Sequence, residues 1–437
     1  MTYGALKWSW AGLQRSVGAR VGSAEHRFVS MRVGARLRVL HVGKFYPPHV
    51  GGMETHLRAL CGELQKSVDV QVVVSSDNRA STETVDSGVK VARVGVVCNL
   101  ASAPICPGLI RRIREAKADL VHLHLPNPVA VMAYLASGLK GRLVVTYHSD
   151  VVRQKLLGRV LQPILFRALD RCEAVIVASH KYVETSPVLP SYRERCRVIP
   201  FGIPVEQFQH CDPTEVARIR DQYGPRIAIS VGRLVYYKGL EHLIQAMNKV
   251  RGRLLIVGDG PLRAKLEHQV RAQGIGDRVV FLGNLKNLIP YYHAADLLVL
   301  ASIARSEAFG LVQLEAMACG KPVVNTSLPS GVPYVSLDGI TGITVPPANP
   351  EALAKAINLL LDDPIRRAQY GNAAWRRVQA EFNLELMTRR TLQLYQSVMQ
   401  FPNRGATFPG QGPADFNRNS GMDESALANT AWPSAAD

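Results

Sequence analysis

The fold is most clearly indicated by the segment Arg38-Val-Leu-His-Val42, which is followed directly by Gly43-Lys-Phe-Tyr-Pro-Pro-His-Val-Gly51-Gly52-Met-Glu54. Its first part is a short apolar run bounded by glycine, which predicts a buried strand, and the apolar residues after Gly52 recur at helical spacing. The glycine pair opens this predicted helix, where a ligand can approach the backbone and free N–H groups favour a phosphate. A tight strand–helix turn without a ligand is the alternative, because the loop is neither a Walker loop nor GxGxxG.

The same alternation of short apolar runs and helical periods continues along most of the chain, which predicts parallel sheets covered by helices. The turn-rich segment 200–225 separates two series of predicted strands. The first series comprises residues 38–42, 68–74, 120–123, 143–147, 174–178 and 197–199, and the second comprises 227–231, 253–257, 279–282, 297–300 and 322–324. We therefore predict an α/β protein with two doubly wound, Rossmann-like domains that face a cleft, with ligands at the carboxyl ends of the strands.

The composition is that of a globular protein with two or three domains: 437 residues, 47% hydrophobic and 20% charged. No apolar run has the length of a membrane span. Seven cysteines are scattered without a CxxC pair, which argues against a disulfide framework and a zinc site. The net charge of +17 suits an anionic membrane surface or phosphorylated small molecules. Because no nucleic-acid-binding signature accompanies this charge, we expect no nucleic acid partner.

The two ends of the chain differ from its centre in composition. Residues 1–30 are rich in arginine, and we interpret them as a start upstream of the true one at Met31 or as a targeting extension. The last residues are rich in Pro, Gly, Asn and Ser, which predicts disorder. The predicted organisation is a disordered extension (1–35), a first domain (36–205), a second domain (206–381), a helix that completes the first domain (382–399) and a disordered tail (401–437).

A histidine follows the strand predicted at 143–147, in Thr146-Tyr147-His148-Ser149-Asp150. At the carboxyl end of a strand, His148 could hydrogen-bond a sugar hydroxyl or move a proton. A structural role is the alternative, and His122 and His124 on the preceding strand are rival candidates. The next helical period, 151–169, is basic and amphipathic, so it either lies on an anionic membrane surface or packs on the core.

The second series of strands contributes two further motifs. In Val231-Gly232-Arg233-Leu234-Val-Tyr-Tyr-Lys238-Gly239, Arg233 and Lys238 can converge on one diphosphate, although a solvated turn is the alternative. In Ser306-Glu307-Ala308-Phe309-Gly310-Leu311-Val-Gln-Leu-Glu315, the helix after Gly310 offers its N-terminus to a phosphate. The two glutamates can accept hydrogen bonds from sugar or ribose hydroxyls, and the surrounding spacing disfavours a mere pair of surface glutamates.

Together these motifs closely resemble the retaining nucleotide-sugar glycosyltransferases of the family-4 group, which share the GT-B fold. The most specific element is Glu307-x7-Glu315, in order with the motif at Arg233 and Lys238, with Val257-Gly-Asp-Gly-Pro261 and with Asp338-Gly-Ile-Thr-Gly342. The resemblance covers roughly residues 36–400 and implies that the first domain binds the acceptor and the second binds the donor nucleotide.

The resemblance also implies a role for each candidate residue around the donor diphosphate. Gly51 and Gly52 would meet the donor phosphates through the backbone. Arg233 and Lys238 would hold the diphosphate and stabilise the negative charge that develops on it, so both are candidate catalytic residues. His148, a third candidate catalytic residue, would contact the transferring sugar near its 6-position.

The helix-opening segment of the second domain receives the remaining roles. Glu307 is a candidate catalytic residue that, with the amides of Phe309, Gly310 and Leu311, would hold the transferring sugar and the adjacent phosphate. Glu315 would bind the ribose hydroxyls. No Asp-x-Asp is placed for a divalent ion, so we expect neither a metal nor a cofactor.

The implied activity is retaining transfer of a hexose from a nucleotide-diphosphate sugar to a lipid-linked or cell-surface glycan. The combination of Ser330-Gly-Val-Pro-Tyr334 with the Gly43 loop resembles bacterial polysaccharide mannosyl- or rhamnosyltransferases, which favours GDP-mannose or GDP-rhamnose. The alternatives are a UDP-sugar with a soluble acceptor, or a module that binds nucleotide sugars without catalysis. We expect a cytoplasmic protein that can bind the inner face of the membrane through its basic first domain.

Overall fold

Two parallel β-sheets, each covered by helices, organise the chain in the computed structural model, which describes residues 36–49, 51–100, 103–150 and 155–400. This confirms the predicted α/β class with two doubly wound sheets. The predicted extension (1–35) and tail (401–437) lie outside the described residues. The described residues from Leu37 to Gln400 form one compact unit, so the domain boundary at 205/206 stays a prediction.

The first sheet has eight strands, in the order β10-β9-β8-β7-β1-β2-β4-β3, and only β3 runs antiparallel to its neighbour. A separate two-stranded sheet pairs β5 with β6. The strands are β1 (Arg38–Val42), β2 (Asp69–Ser75), β3 (Thr82–Asp86), β4 (Val89–Val94), β5 (Cys98–Leu100), β6 (Ala103–Ile105), β7 (Leu120–Leu125), β8 (Arg142–Tyr147), β9 (Ala174–Val177) and β10 (Cys196–Val198). The helices are α1 (Gly52–Leu64), α2 (Gly108–Glu115), α3 (Pro128–Ser137), α4 (Lys155–Arg171) and α5 (His180–Thr185).

The second sheet has six parallel strands in the order β13-β12-β11-β14-β15-β16. They are β11 (Ile227–Val231), β12 (Arg253–Val257), β13 (Val279–Gly283), β14 (Leu297–Val299), β15 (Val323–Thr326) and β16 (Gly342–Val345). The accompanying helices are α6 (Pro213–Tyr223), α7 (Leu240–Ala246), α8 (Arg263–Ala272), α9 (Ile289–Ala294), α10 (Leu311–Ala318), α11 (Val332–Val335), α12 (Pro350–Asp362), α13 (Pro364–Glu381) and α14 (Leu384–Gln400).

The central strands are buried on both faces, as the runs of Val, Ile and Leu predict. Every residue of β7 and of β11 is buried, because helices cover both faces of each parallel sheet. One hydrophobic cluster contains residues of both halves of the chain, among them Leu57, Val231 and Phe309. The two sheets are therefore held together by a shared apolar core.

The strands that the sequence analysis missed lie at or near sheet edges. β3 is mostly exposed, so no apolar run marks it. It joins β4 through Ser87 and Gly88, whose φ angles of 51° and 83° form a tight hairpin turn. β5, β6 and β16 have three or four residues each, too short for a periodicity to be read. β4, the neighbour of β3, was missed as well. The bounds of the strands that were predicted differ from the observed ones by at most two residues.

The last helix returns to the first sheet. α14 begins after Asn383, whose Oδ1 accepts a hydrogen bond from the Leu386 amide at 2.7 Å. This cap explains why the helix starts later than residue 382. α14 packs on α1, and its Tyr395 is fully buried among histidines of the first sheet. α14 thus packs against the half of the molecule that contains the first sheet.

The helix predicted at 151–169 is described only in part. Residues 151–154 lie outside the described residues, and α4 continues to Arg171. Ala168 and Leu169 are buried in the core of the first sheet, whereas Arg167 is exposed. No helix within the described ranges is both long and apolar enough to span a bilayer.

Candidate active site

Lys238 and Glu307 form a buried ion pair in which Nζ lies 2.6 Å from Oε2. Lys238 ends a short 3-10 turn after β11, and Glu307 lies in the loop that follows β14. The hydroxyl of Ser302 donates a hydrogen bond to the same carboxylate oxygen at 3.0 Å. Burial opposes the charge of Lys238, but the Glu307 carboxylate raises its pKa above the ordinary value, so the ammonium stays charged. Two predicted catalytic residues are thus in direct contact.

Gly232 allows the Lys238 side chain to fold over the end of β11. Its φ angle is +142°, a conformation that side chains rarely adopt. A Cβ at this position would lie 3.1 Å from Lys238 Nζ. Gly232 therefore allows the backbone turn and also leaves space for the side chain of Lys238.

The N-termini of α1 and α10 face each other across the space between the sheets. Gly310 precedes α10 with a φ of +77°, and no side chain caps that helix. A Cβ on Gly52 would lie 3.7 Å from Leu311 Cδ1, so the first turns of the two helices are neighbours. The carboxylate of Glu54 folds back against Gly51, where the positive end of the α1 dipole attracts it. Of the predicted glycine pair, Gly52 is the one that faces α10.

Glu315 lies one turn inside α10, beside the Lys238–Glu307 pair. It accepts a hydrogen bond from the Tyr292 hydroxyl at 2.6 Å. Burial raises the pKa of the Glu315 carboxyl above its ordinary value, and the Tyr292 hydrogen bond and the charge of Lys238 oppose this rise. Both predicted glutamates therefore lie near the ammonium group of Lys238.

Arg233 has an exposed side chain. Burial lowers the pKa of Lys44, and the nearby charge of Arg233 lowers it further, while Glu54 opposes the shift. Lys44 belongs to the loop after β1, so cations from both halves of the chain approach each other here. Such an arrangement suits an anion between them.

His148 lies next to the loop that opens α10. Its ring is 5.1 Å from the ring of Phe201, which in turn is 5.1 Å from the ring of Phe309. His148 is 7% exposed, whereas its rivals His122 and His124 are 0% and 2% exposed. His148 is therefore the least buried of the three histidines, and its contact with a ligand stays a prediction.

A second polar contact bridges the two halves through Asp150 and Arg305. The guanidinium of Arg305 lies 2.9 Å from the buried carboxylate of Asp150. Asp150 also accepts hydrogen bonds from the hydroxyls of Tyr147, Tyr182 and Ser186 at 2.8–3.0 Å. This network holds the carboxylate in place and ties the loop before α10 to the first sheet.

Sequence reasoning missed several residues that shape this site. Lys44 stands inside the quoted glycine loop, and a cation at that position was an available signal. Tyr292 and Ser302 orient the two glutamates, but neither belongs to a recognisable motif. Arg305 precedes the glutamate motif by two positions, and nothing local marks its reach to Asp150.

Two groups of three buried histidines among the described residues have ring nitrogens within 4.8 Å of one another. They are His41, His122 and His124, and His56, His124 and His148. Such groups could hold a metal ion, but the nitrogens that join His41 to His124 and His124 to His148 are 3.0 Å apart, as in hydrogen bonds. That the reaction needs no metal stays a prediction.

The sequence matches two family descriptions. Residues 50–207 match Glycosyltransferase Family 4, and residues 214–377 match Glycosyl transferases group 1. The first match covers the first sheet except β1, and the second covers the whole second sheet; together they contain most of the candidate residues described above.

Three relatives are similar over most of their length. The chain is 31% identical to the O-antigen chain mannosyltransferase C of Escherichia coli, covering 83% of this chain and 99% of that protein. It is 33% identical to the D-rhamnosyltransferase WbpZ of Pseudomonas aeruginosa, covering 79% and 92%. It is 30% identical to the GDP-mannose-dependent α-(1-6)-phosphatidylinositol monomannoside mannosyltransferase of Mycolicibacterium smegmatis, covering 77% and 92%.

Among solved structures, Anabaena HepE in complex with UDP and glucose has the same fold. It superposes with a TM-score of 0.70 at 20% identity, covering 83% of this chain and all of that chain. At this identity the likeness establishes the architecture of two facing sheets.

Proposed function

The chain belongs to the family-4 glycosyltransferases of the GT-B fold, and we propose that it is a retaining hexosyltransferase with a GDP-sugar as donor. GDP-mannose and GDP-rhamnose are the favoured donors, and a lipid-linked or cell-surface glycan is the acceptor. The observation that carries the proposal is the buried Lys238–Glu307 pair at the N-terminus of α10, opposite Gly52 of α1.

The proposed reaction needs positive charge at the diphosphate. When the bond between the anomeric carbon and the phosphate oxygen breaks, negative charge grows on the departing diphosphate and positive charge on the sugar ring. Lys238, Arg233 and the free amides at the start of α10 stabilise that negative charge. Fixed groups of this kind are effective because they need no reorganisation during the reaction.

The retained configuration follows from attack on the face that the phosphate leaves. The acceptor oxygen bonds to the anomeric carbon as the phosphate departs, and its proton passes to an oxygen of that phosphate. Glu307 orients Lys238 and accepts a hydrogen bond from a hydroxyl of the sugar. His148 contacts the same sugar. The closed space between the sheets aligns both substrates.

The identity of the donor rests on the relatives. The names of the three relatives include mannosyltransferase, rhamnosyltransferase and GDP-mannose-dependent enzyme, and together they favour a GDP-linked sugar of the manno series. We propose that Glu315, which accepts a hydrogen bond from Tyr292, also accepts hydrogen bonds from the ribose hydroxyls of the nucleotide.

The acceptor proposal rests on charge and on the same relatives. The chain has a net charge of +17, which suits a membrane surface with anionic lipids. Two relatives are named for an O-antigen chain and for a phosphatidylinositol mannoside. We therefore propose that the protein works at the inner face of the membrane on a growing glycan.

A thermal-shift screen tests the donor. GDP-mannose or GDP-rhamnose should raise the melting temperature, because a ligand that binds the native state stabilises it. UDP- and ADP-sugars serve as matched controls, and stabilisation by these alone would contradict the GDP proposal. NMR of the product, through its anomeric coupling, then tests retention.

Flotation with liposomes tests the acceptor's location. Binding to vesicles with anionic lipids, but not to neutral vesicles, is expected at physiological salt. A protein that stays with the soluble fraction in both cases would favour a soluble acceptor.

A further inference from the structure

Four buried histidines, His148 among them, are joined to a tyrosine and a threonine by consecutive hydrogen bonds. We call this series the histidine chain; it runs through Thr146, His122, Tyr395, His41, His124 and His148. His41 Nδ1 lies 3.0 Å from His124 Nε2, and His124 Nδ1 lies 3.0 Å from His148 Nε2. Each distance fits one shared proton.

The other half of the histidine chain passes through the last helix. The Tyr395 hydroxyl lies 2.6 Å from His122 Nδ1 and 3.3 Å from His41 Nε2. His122 Nε2 lies 2.6 Å from the hydroxyl of Thr146. Since Tyr395 belongs to α14, the series closes only when that helix is docked on the first sheet.

Strand geometry places these side chains on one face. His122 and His124 are two positions apart on β7, so they point to the same side of the sheet. The parallel register pairs His41 with His122 and His124 with Thr146. The histidine chain therefore crosses three neighbouring strands, β1, β7 and β8.

The imidazoles of the histidine chain are neutral. Burial lowers the pKa of His41 to about 3 and lowers the pKa of His122, His124 and His148 well below the ordinary value. A neutral imidazole donates from one ring nitrogen and accepts at the other. If each contact contains one proton, all the hydrogen bonds of the histidine chain must be donated in the same direction along it. Only two such arrangements exist.

Thr146 selects one of the two directions. Its hydroxyl is buried, and within the described part of the chain its partner is His122 Nε2. A buried hydroxyl proton without an acceptor is costly, so Thr146 donates to that nitrogen. Each later member of the histidine chain then accepts at one atom and donates from the other. The donated protons lie on His122 Nδ1, the Tyr395 oxygen, His41 Nδ1 and His124 Nδ1. The last of them is donated to His148 Nε2.

We propose that the histidine chain holds His148 as the tautomer with its proton on Nδ1, so that His148 offers a hydrogen-bond donor to an oxygen of the substrate. Thr146 and Tyr395 are then positioning residues that act through the imidazoles between them. Only the identity of the oxygen that His148 meets rests on the proposed function. The histidine chain also makes this donor depend on the docking of α14.

Nitrogen NMR of protein labelled with ¹⁵N-histidine tests the proposal directly. In the wild type, the His148 signals, identified by their loss in His148→Asn, should show a protonated Nδ1 and an unprotonated Nε2. Tyr395→Phe keeps the ring but removes the hydroxyl, and Thr146→Val keeps the shape but removes the donor. Each should convert His148 to a mixture of tautomers. Tyr134→Phe, which removes another buried tyrosine hydroxyl outside the histidine chain, should leave the tautomer unchanged.

Kinetics provide the second measurement. Tyr395→Phe and Thr146→Val should lower kcat about tenfold, as for the loss of one aligned hydrogen bond, with a smaller change in donor affinity. A purely structural role would lower the melting temperature and leave the His148 tautomer as in the wild type.

A protonated Nε2 in the wild type, or one unchanged tautomer in both variants, would overturn the proposal. If Tyr395→Phe fails to fold, Thr146→Val carries the same test. If the wild type transfers sugar from no nucleotide donor, the proposed function fails, whereas the NMR result still decides the tautomer.

Discussion

Gly52 and Leu311 come from different sheets, yet a Cβ on Gly52 would lie only 3.7 Å from Leu311 Cδ1. This approach brings the positive ends of α1 and α10 together at one place. Two neighbouring helix N-termini suit the paired phosphates of a nucleotide sugar better than one N-terminus would.

We expect Gly52→Ala to weaken donor binding at least about tenfold while leaving the fold intact. The added methyl group meets Leu311 at an ordinary contact distance, but it occupies space that a phosphate needs. Isothermal titration with the GDP-sugar measures the effect. Gly62→Ala, in the interior of α1, is the matched control and should bind normally. Equal affinities of the two variants would refute a phosphate site at Gly52.

Replacing Lys238 by Met should lower kcat by about 10²–10³-fold, the effect of removing one fixed group that stabilises developing charge. It should also lower the free energy of unfolding by about 3 kcal/mol, because Glu307 is left buried without its cation. Turnover and urea unfolding measure the two effects separately. The double variant with Glu307→Gln should recover stability but not turnover. Lys249→Ala, which breaks an exposed pair with Glu351, is the control and should change neither.

Glu315→Gln should raise the donor dissociation constant about tenfold and change kcat little, because the proposed contact is with the ribose. The raised pKa of Glu315 predicts a pH effect as well. The carboxylate becomes protonated at a higher pH than an ordinary glutamate, so wild-type affinity should fall as the pH decreases toward that pKa. The donor affinity of the Gln variant should not show this fall at low pH. A pH dependence shared by both proteins would place the titrating group elsewhere.

Arg305→Met should loosen the contact between the two halves. It removes the cation that faces Asp150 across the cleft, while the three hydroxyl donors to Asp150 remain. Small-angle scattering should show a larger radius of gyration, and the KM values for both substrates should rise. Lys181→Met, which breaks an exposed pair within α5, is the control for lost charge. An unchanged radius would show that other contacts hold the halves together.

The motifs that contain Lys238 and Glu315 were recognisable in the sequence because each is local. Gly232 with Lys238, and Gly310 with Glu315, lie within one strand–helix connection. Their spacing alone therefore limits where the side chains can go. The approach of Arg233 to Lys44 and the hydrogen bond from Tyr292 to Glu315 were not predictable, since each joins residues from different elements.

The alternation of strands and helices could be read from the order of the amino acids, because burial on both faces of a parallel sheet leaves a local pattern of apolar residues. Which polar groups meet depended instead on the packing of distant elements. His122 and Tyr395 stand 273 positions apart, yet their hydrogen bond of 2.6 Å closes the histidine chain. Such a contact depends on how α14 docks, and packing between distant elements leaves no periodic trace in the chain.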